Sequence, residues 1–369
     1  MEVKKVAILG AGNGGLTATA DLAERGFDIS LYTWPTREYQ FEGLINRGGL
    51  LLQEPNAEPP KEVFVPITNY TIDMAEAIKD AQVIMLTVPG YAVEDYAEVL
   101  APLASEDQVI FFNAAAAMSC VRFERKAREM GIEKNFKLCE LNTLTYGTRG
   151  MARDGVVELY LRVKKTYFAA YPKENTKELY DVCSQLYDGM VMADNIWETT
   201  LENGNPEVHP GPCLLNAGRI DYSGGEFYYY VEGVTEHTVR LMRAIEGERL
   251  AIGRAFGFEL EDAVTSRYNR GYFDNKDESL QHLFNHSEVF SKIKGPAHVN
   301  SRYFTEDISD GLVLWSNLGK VVGVPTPNID AVITIGNTIL RRDFFEDGLT
   351  LKSLGMDDAK SVADLVAKV

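Results

Sequence analysis

Cysteine is scarce. Four stand in 369 residues, at positions 120, 139, 183 and 213, with no Cys-x-x-Cys and no histidine beside them at zinc spacing. A disulfide-stapled scaffold and a zinc module are therefore not expected, and reduced thiols are. Long apolar runs are missing too: no stretch approaches the roughly 20 residues of a membrane span. The opening MEVKKVAILGAG has no signal-cleavage pattern, so a cytoplasmic protein without a membrane partner is expected. Positive charge is the third deficit. Lys and Arg number 37 against 54 Asp and Glu, a net charge of −17, and no basic stripe exists to track nucleic-acid phosphates. No repeat, low-complexity tract or linker-like run interrupts the chain, whose length suits two domains.

What is present begins with a strand, a glycine turn and a helix. Residues 3–9 are mostly β-branched or apolar and run into Gly10-Ala11-Gly12-Asn13-Gly14-Gly15, then LTATADLAERG. Gly10, Gly12 and Gly15 fit the G-x-G-x-x-G fingerprint: a tight turn, room for a pyrophosphate, and close helix-to-strand packing. The helix that follows offers its first N–H groups to phosphate. A second strand is expected over 27–32. Its end reads Leu31-Tyr32-Thr33-Trp34-Pro35-Thr36-Arg37, with no acid to hold an NAD ribose, so NADP is preferred over NAD, with Thr33, Thr36 and Arg37 as phosphate partners.

Further strands are expected at 82–88, 108–113 and 137–141, with helices at 74–79, 91–103 and 118–130 between them. This is the alternation of a doubly wound, mainly parallel α/β sheet. Cofactor contacts then fall beyond the strand ends, at Val88 and Pro89 and along 113–118 beginning with Asn113, while 143–149, TLTYGTR, faces the nicotinamide. A hairpin-like region over 156–171 and a helix over 176–186 complete a Rossmann domain of residues 1–190. From 191 to 369 the 3.6-residue period dominates and an all-α domain is expected. Residues 227–231 are read as a short extended lid hinged at Gly224-Gly225. Charges in 247–257 are read as solvated.

The chemistry centres on NGNPEVHPGPCLLNAGRI, residues 203–220. His209 lies before Pro210 and near Pro212, which push preceding residues out of the helical region, so a stiff non-helical support for a general acid or base is expected. Asn205 and Asn216 either brace this loop or cap helices. His282 and His286, four apart, form no metal site without a third ligand. His298 is a second candidate through a helical face shared with Arg302, and His237 sits among polar residues.

Downstream stand RYFTEDISDGLV from Arg302 and VPTPNID from Val324. With the His-Pro segment, the ELNTLTYGTR stretch and the N-terminal fingerprint, all in the family's order and spread over nearly the whole chain, they make the sequence resemble the opine dehydrogenase family of octopine, nopaline and related enzymes. The run NAAAA from Asn113 departs from the glycine-rich loop of that family. The resemblance implies reductive condensation of an amino acid with an α-keto acid such as pyruvate. His209 would serve as the acid–base group and Arg302 would bind the keto-acid carboxylate through two hydrogen bonds. Asp307 would orient His209 or hold a cationic group of the amino substrate. The helical domain would close over a cleft, and a homodimer is compatible with the sequence. Two other readings are a keto-acid or hydroxy-acid reductase, against which the lack of a catalytic-lysine motif counts, and a non-catalytic NADP-binding sensor.

Overall fold

Val6, Ala7, Ile8 and Leu9 are wholly buried, as a strand covered on both faces requires. In the computed structural model, which describes residues 1–114 and 117–369, they belong to the first of twelve strands in the described residues: β1 Lys5–Leu9, β2 Asp28–Tyr32, β3 Gly49–Glu54, β4 Lys61–Pro66, β5 Tyr70–Thr71, β6 Val83–Leu86, β7 Val109–Phe112, β8 Lys137–Leu141, β9 Tyr146–Met151, β10 Val156–Arg162, β11 Thr166–Tyr171 and β12 Met190–Met192. Eight form a sheet in the order β12-β11-β8-β7-β6-β1-β2-β5. All its pairings are parallel except β8 with β11. The strand order reverses at β1, between β2 and β6, the switch point where such sheets bind ligands.

A second sheet, β4-β3-β10-β9, has no counterpart in the sequence reading. Its β10 pairs with β9 and β3, while β11 pairs with β8 in the main sheet, so 156–171 is not a hairpin. The small sheet lies against the helix Asn13–Glu24. Thr17 and Thr148 hydroxyls meet at 2.7 Å, and the buried Asp21 accepts from Tyr146 Oη at 2.8 Å and from Arg162 Nε and Nη2 at 2.9 and 2.7 Å.

The chain divides into two units, Met1–Thr199 and Thr200–Val369. The expected limit at 190 falls short because β12 still pairs with β11, and the Thr199 hydroxyl donates to Glu140 of β8 at 3.1 Å.

The second unit is helical, with an isolated bridge between Tyr228 and Lys294. Its longest helix, Glu236–Phe256, ends at Gly257, whose φ of +87° is the left-handed stop glycine tolerates. Glu248 on this helix accepts from Asn328 N and Nδ2 and from Ile329 N at 2.7–2.9 Å, satisfying first-turn donors of the helix Pro327–Leu340. Glu248 and Arg249 are buried, correcting the expectation of solvated charges at these two positions, while Arg254 is exposed as expected. No helix among the described residues is long and apolar enough to cross a membrane.

Candidate active site

The glycine turn packs against the protein at three glycines and is open at the fourth. Gly10 has φ +108°, and a Cβ there would lie 2.9 Å from Val88 Cγ1 at the end of β6. A Cβ on Gly15 would come within 1.6 Å of the Gly10 carbonyl oxygen, and one on Gly14 within 2.9 Å of Leu144. Gly12 is different: nothing lies within 4 Å of its Cβ position, and as N-cap it has no side chain to accept first-turn N–H groups. Open space before unsatisfied helix donors suits a pyrophosphate. Asn13 is exposed at the same turn, and its Oδ1 accepts from Gly150 N at 3.1 Å.

Other expected cofactor residues divide. Arg37 is exposed in the 3₁₀ segment Pro35–Phe41, and Val88 and Pro89 follow β6 at the switch point. Thr33 is 1% exposed and its hydroxyl donates to Gln40 at 2.6 Å, so it faces the protein rather than a phosphate. Asn113 is wholly buried; its Nδ2 donates to Thr145 Oγ1 at 2.9 Å and its Oδ1 accepts from Thr145 N at 3.1 Å. It braces the following loop instead of contacting a ligand through its amide. Residues 115 and 116 of the expected 113–118 lining lie outside the described residues. Tyr146, expected to face the nicotinamide, is buried in β9 on Asp21. Trp34 packs edge-on against Tyr96 at 4.8 Å.

One buried carboxyl was not anticipated. Glu140, at the carboxyl end of β8, accepts from Cys120 N at 3.0 Å and Thr199 Oγ1 at 3.1 Å. Burial raises its pKa to about 7, against the pull of those hydrogen bonds and of Arg122.

In the second unit His209 stands where the helix Asn205–Val208 passes into Pro210–Leu215. Its φ of −99° and ψ of −55° are right-handed helical, not the extended conformation expected before proline. Pro210 occupies the first position of a helix, where a missing N–H costs nothing, and the His209 N–H still reaches Asn205 O at 3.0 Å, so the chain winds through. Nδ1 lies 2.8 Å from Asp307 Oδ2 and Nε2 lies 3.0 Å from Tyr230 Oη. The Tyr303 ring stacks on the imidazole at 4.2 Å and 3°. Both His209 and Asp307 are 8% exposed. Asp307 opens the π-helical turn Asp307–Leu312, a local widening common at functional sites.

Tyr229 and Tyr230 belong to a short helix, Tyr229–Glu232, so 227–231 is not an extended lid. Tyr229 Oη donates to the His209 carbonyl at 2.8 Å. Asn216 Nδ2 donates to Pro212 O at 2.9 Å and Gly233 O at 3.0 Å, tying the same elements. Below the histidine, the wholly buried Glu207 accepts from Arg249 Nε at 3.1 Å and Arg267 Nη1 at 3.2 Å. These arginines also donate to the carbonyls of Leu201, Glu261 and Gly204 at 2.7–3.0 Å, fixing the segment that carries His209. Burial pushes the Cys213 thiol up to about 12, so it is no thiolate nucleophile at neutral pH.

Arg302, five residues before Asp307, opens the helix Arg302–Glu306 with its side chain 62% exposed and Nε 3.0 Å from Glu306 Oε2. His298 precedes that helix and shares no helical face with it. His282 and His286 stack at 3.9 Å on an exposed face, and His237 is exposed. The sequence reading missed Tyr229, Tyr230, Tyr303 and the Glu207 network; the one visible signal was the tyrosine triplet 228–230.

A neutral imidazole facing a carboxylate is the Nδ1–H tautomer, because an ionised carboxylate only accepts. Nε2 is then the basic nitrogen, an arrangement chemically able to take up and release a proton there.

Residues 192–340 match the family model described as NAD/NADP octopine/nopaline dehydrogenase, alpha-helical domain, and residues 6–114 that of ketopantoate reductase PanE/ApbA. The chain is 32% identical to the opine dehydrogenase of Arthrobacter sp. (strain 1C) over 96% of each chain. Among solved structures, octopine dehydrogenase with NADH and L-arginine is similar with a TM-score of 0.72 and 18% identity, covering 99% of this chain and 98% of that one. Yersinopine dehydrogenase with NADP⁺ bound gives 0.70 and 16%, covering 100% and 98%. At these identities the structural likeness concerns the fold.

Proposed function

This chain belongs to the opine dehydrogenase family, and on that footing we propose that it couples an amino acid to an α-keto acid such as pyruvate, with NADPH reducing the imine to a secondary-amine dicarboxylate. It is an NAD(P)-dependent dehydrogenase acting on CH–NH donors. The observation that carries the proposed reaction is the buried pair of His209 and Asp307, Nδ1 lying 2.8 Å from Oδ2. The amino substrate must lose a proton before its nitrogen attacks the keto carbon, and the carbinolamine must gain one before it loses water. One group that holds or releases a proton at Nε2 meets both demands.

Asp307 keeps the ring oriented and stabilises the imidazolium; the alternative role, holding a cationic substrate group, is less suited to a carboxylate already given to Nδ1. Arg302 binds the keto-acid carboxylate with its planar guanidinium, which on an exposed side chain can turn toward a ligand. The dinucleotide would be held by Gly10, Gly12, Asn13, Gly14 and Gly15, with Val88 and Pro89 beside it, and would supply the hydride. Exposed Arg37 and the missing acid after β2 favour the 2′-phosphate of NADPH.

The test is loss of NAD(P)H absorbance with pyruvate and pooled L-amino acids, each class omitted in turn. Oxidation that needs both classes is expected, faster with NADPH than with NADH. Oxidation by pyruvate alone would refute coupling in favour of a simple reductase. His209→Ala and Arg302→Ala should each abolish coupling while NADPH still binds.

A further inference from the structure

Two consecutive tyrosines grip His209 from two directions, Tyr229 at its carbonyl and Tyr230 at Nε2. With Nδ1–H given to Asp307, the neutral imidazole presents a lone pair at Nε2, so across the 3.0 Å contact it is Tyr230 Oη–H that donates. Once the imidazole is protonated, Nε2–H donates and the phenol oxygen accepts. A hydroxyl serves both states by rotating its proton.

The ring cannot swing away without dismantling its surroundings. It stacks on Phe284 at 5.3 Å, lies 4.5 Å from Phe290 and 4.9 Å from Tyr229, and is 2% exposed. Its backbone carbonyl accepts from Asn285 Nδ2 at 2.5 Å. The Nε2 direction, the one a base must use, is therefore filled by this hydroxyl. We propose that Tyr230 is a catalytic residue of the coupling reaction, its hydroxyl relaying the proton between His209 Nε2 and the substrate amine or carbinolamine. The inference rests on the reaction assigned above.

In the first transfer an N–H bond of the substrate ammonium breaks and its electron pair stays on nitrogen. That proton bonds to the Tyr230 oxygen as Tyr230's own proton leaves to form Nε2–H. The phenol is neutral before and after, and the imidazolium faces Asp307. In dehydration the traffic reverses: Nε2–H returns its proton to the phenol oxygen and the phenol proton goes to the carbinolamine hydroxyl. Water leaves, and the nitrogen lone pair becomes the second bond of C=N⁺.

The ionisable groups around Tyr230 agree with a relay that never stands as tyrosinate. Burial holds its phenol well above the usual tyrosine range, Tyr303 and Asp307 push the same way with Cys213, and Arg267 opposes them.

The test uses the full chain with pyruvate and whichever amino acid supports wild-type turnover. Tyr230→Phe should lower kcat by about 100-fold or more while NADPH binding by fluorescence is unchanged. Fluorinated tyrosines at position 230, nearly isosteric, should change kcat in step with their falling phenol pKa, and they decide the matter if the Phe variant does not fold. A Phe variant within threefold of wild type, or rates indifferent to fluorination, overturns the relay. A wild type that couples no amine would refute the reaction of the preceding subsection instead. The relay is then judged without substrate, from imidazole ¹⁵N spectra: the Nε2 resonance of His209 should move when the phenol hydroxyl is removed, and an unmoved resonance rejects the relay.

Discussion

Glu140 is buried at the end of β8 with its pKa raised to about 7 from an ordinary 4.5, chiefly by loss of hydration. Between those values the folded protein holds a proton that the unfolded chain has released, so stability falls as pH rises. The contribution is fully present below about pH 4.5 and is lost as pH climbs through about 7. A displacement of that size corresponds to about 3 kcal/mol. Glutamine mimics the protonated acid: its Oε1 accepts from Cys120 N and its amide can donate to Thr199 Oγ1. Glu140→Gln should therefore lie within about 1 kcal/mol of wild type near pH 5 and exceed it by about 3 kcal/mol near pH 8.5. Urea unfolding reports this through Trp34 and Trp197, which lie in the same unit. Comparing the two proteins at each pH cancels every other titrating group. A stability gap that stays constant from pH 5 to 8.5 would show that Glu140 is ionised in the fold and would refute the reasoning.

Three further substitutions probe the buried arginine network and the glycine turn. Arg249→Met leaves the wholly buried Glu207 to Arg267 and strips donors from the carbonyls of Leu201 and Glu261, which should cost about 3–5 kcal/mol in urea unfolding; a loss below 1 kcal/mol would mean that the network does not hold the His209 segment. Gly12→Ala meets no protein atom and should keep its melting temperature while NADPH binding weakens at least tenfold, whereas Gly15→Ala collides with the Gly10 carbonyl and should lose both. Equal effects of the two alanines would contradict the pyrophosphate space assigned at Gly12.

Much of the first unit was legible because a parallel strand is a local pattern. Residues 5–9, 28–32, 83–86, 109–112 and 137–141 are short apolar runs bounded by turns, and each is a strand of the main sheet. The run LLLQE at 50–54 was as apolar, yet its sheet was missed, since β3 needs β10 more than 100 residues later to complete its pairing. Thr33 and Asn113 show the opposite error. Both stand at strand ends where a ligand is expected, but their side chains have protein partners, and position along a strand does not say which way a polar group is satisfied.

By itself the sequence determined the periodicities, the glycine turn and the presence of His209, Arg302 and Asp307 as candidates, because these are properties of short stretches and of a resemblance spread along the chain. Tertiary structure decided which groups those candidates meet. His209 and Asp307 are separated by 98 positions and meet at 2.8 Å, and Tyr230 and Tyr303 enclose the same ring from two other helices. An imidazole's tautomer and the route of its proton depend on which groups face its two nitrogens, and only packing brings those groups there.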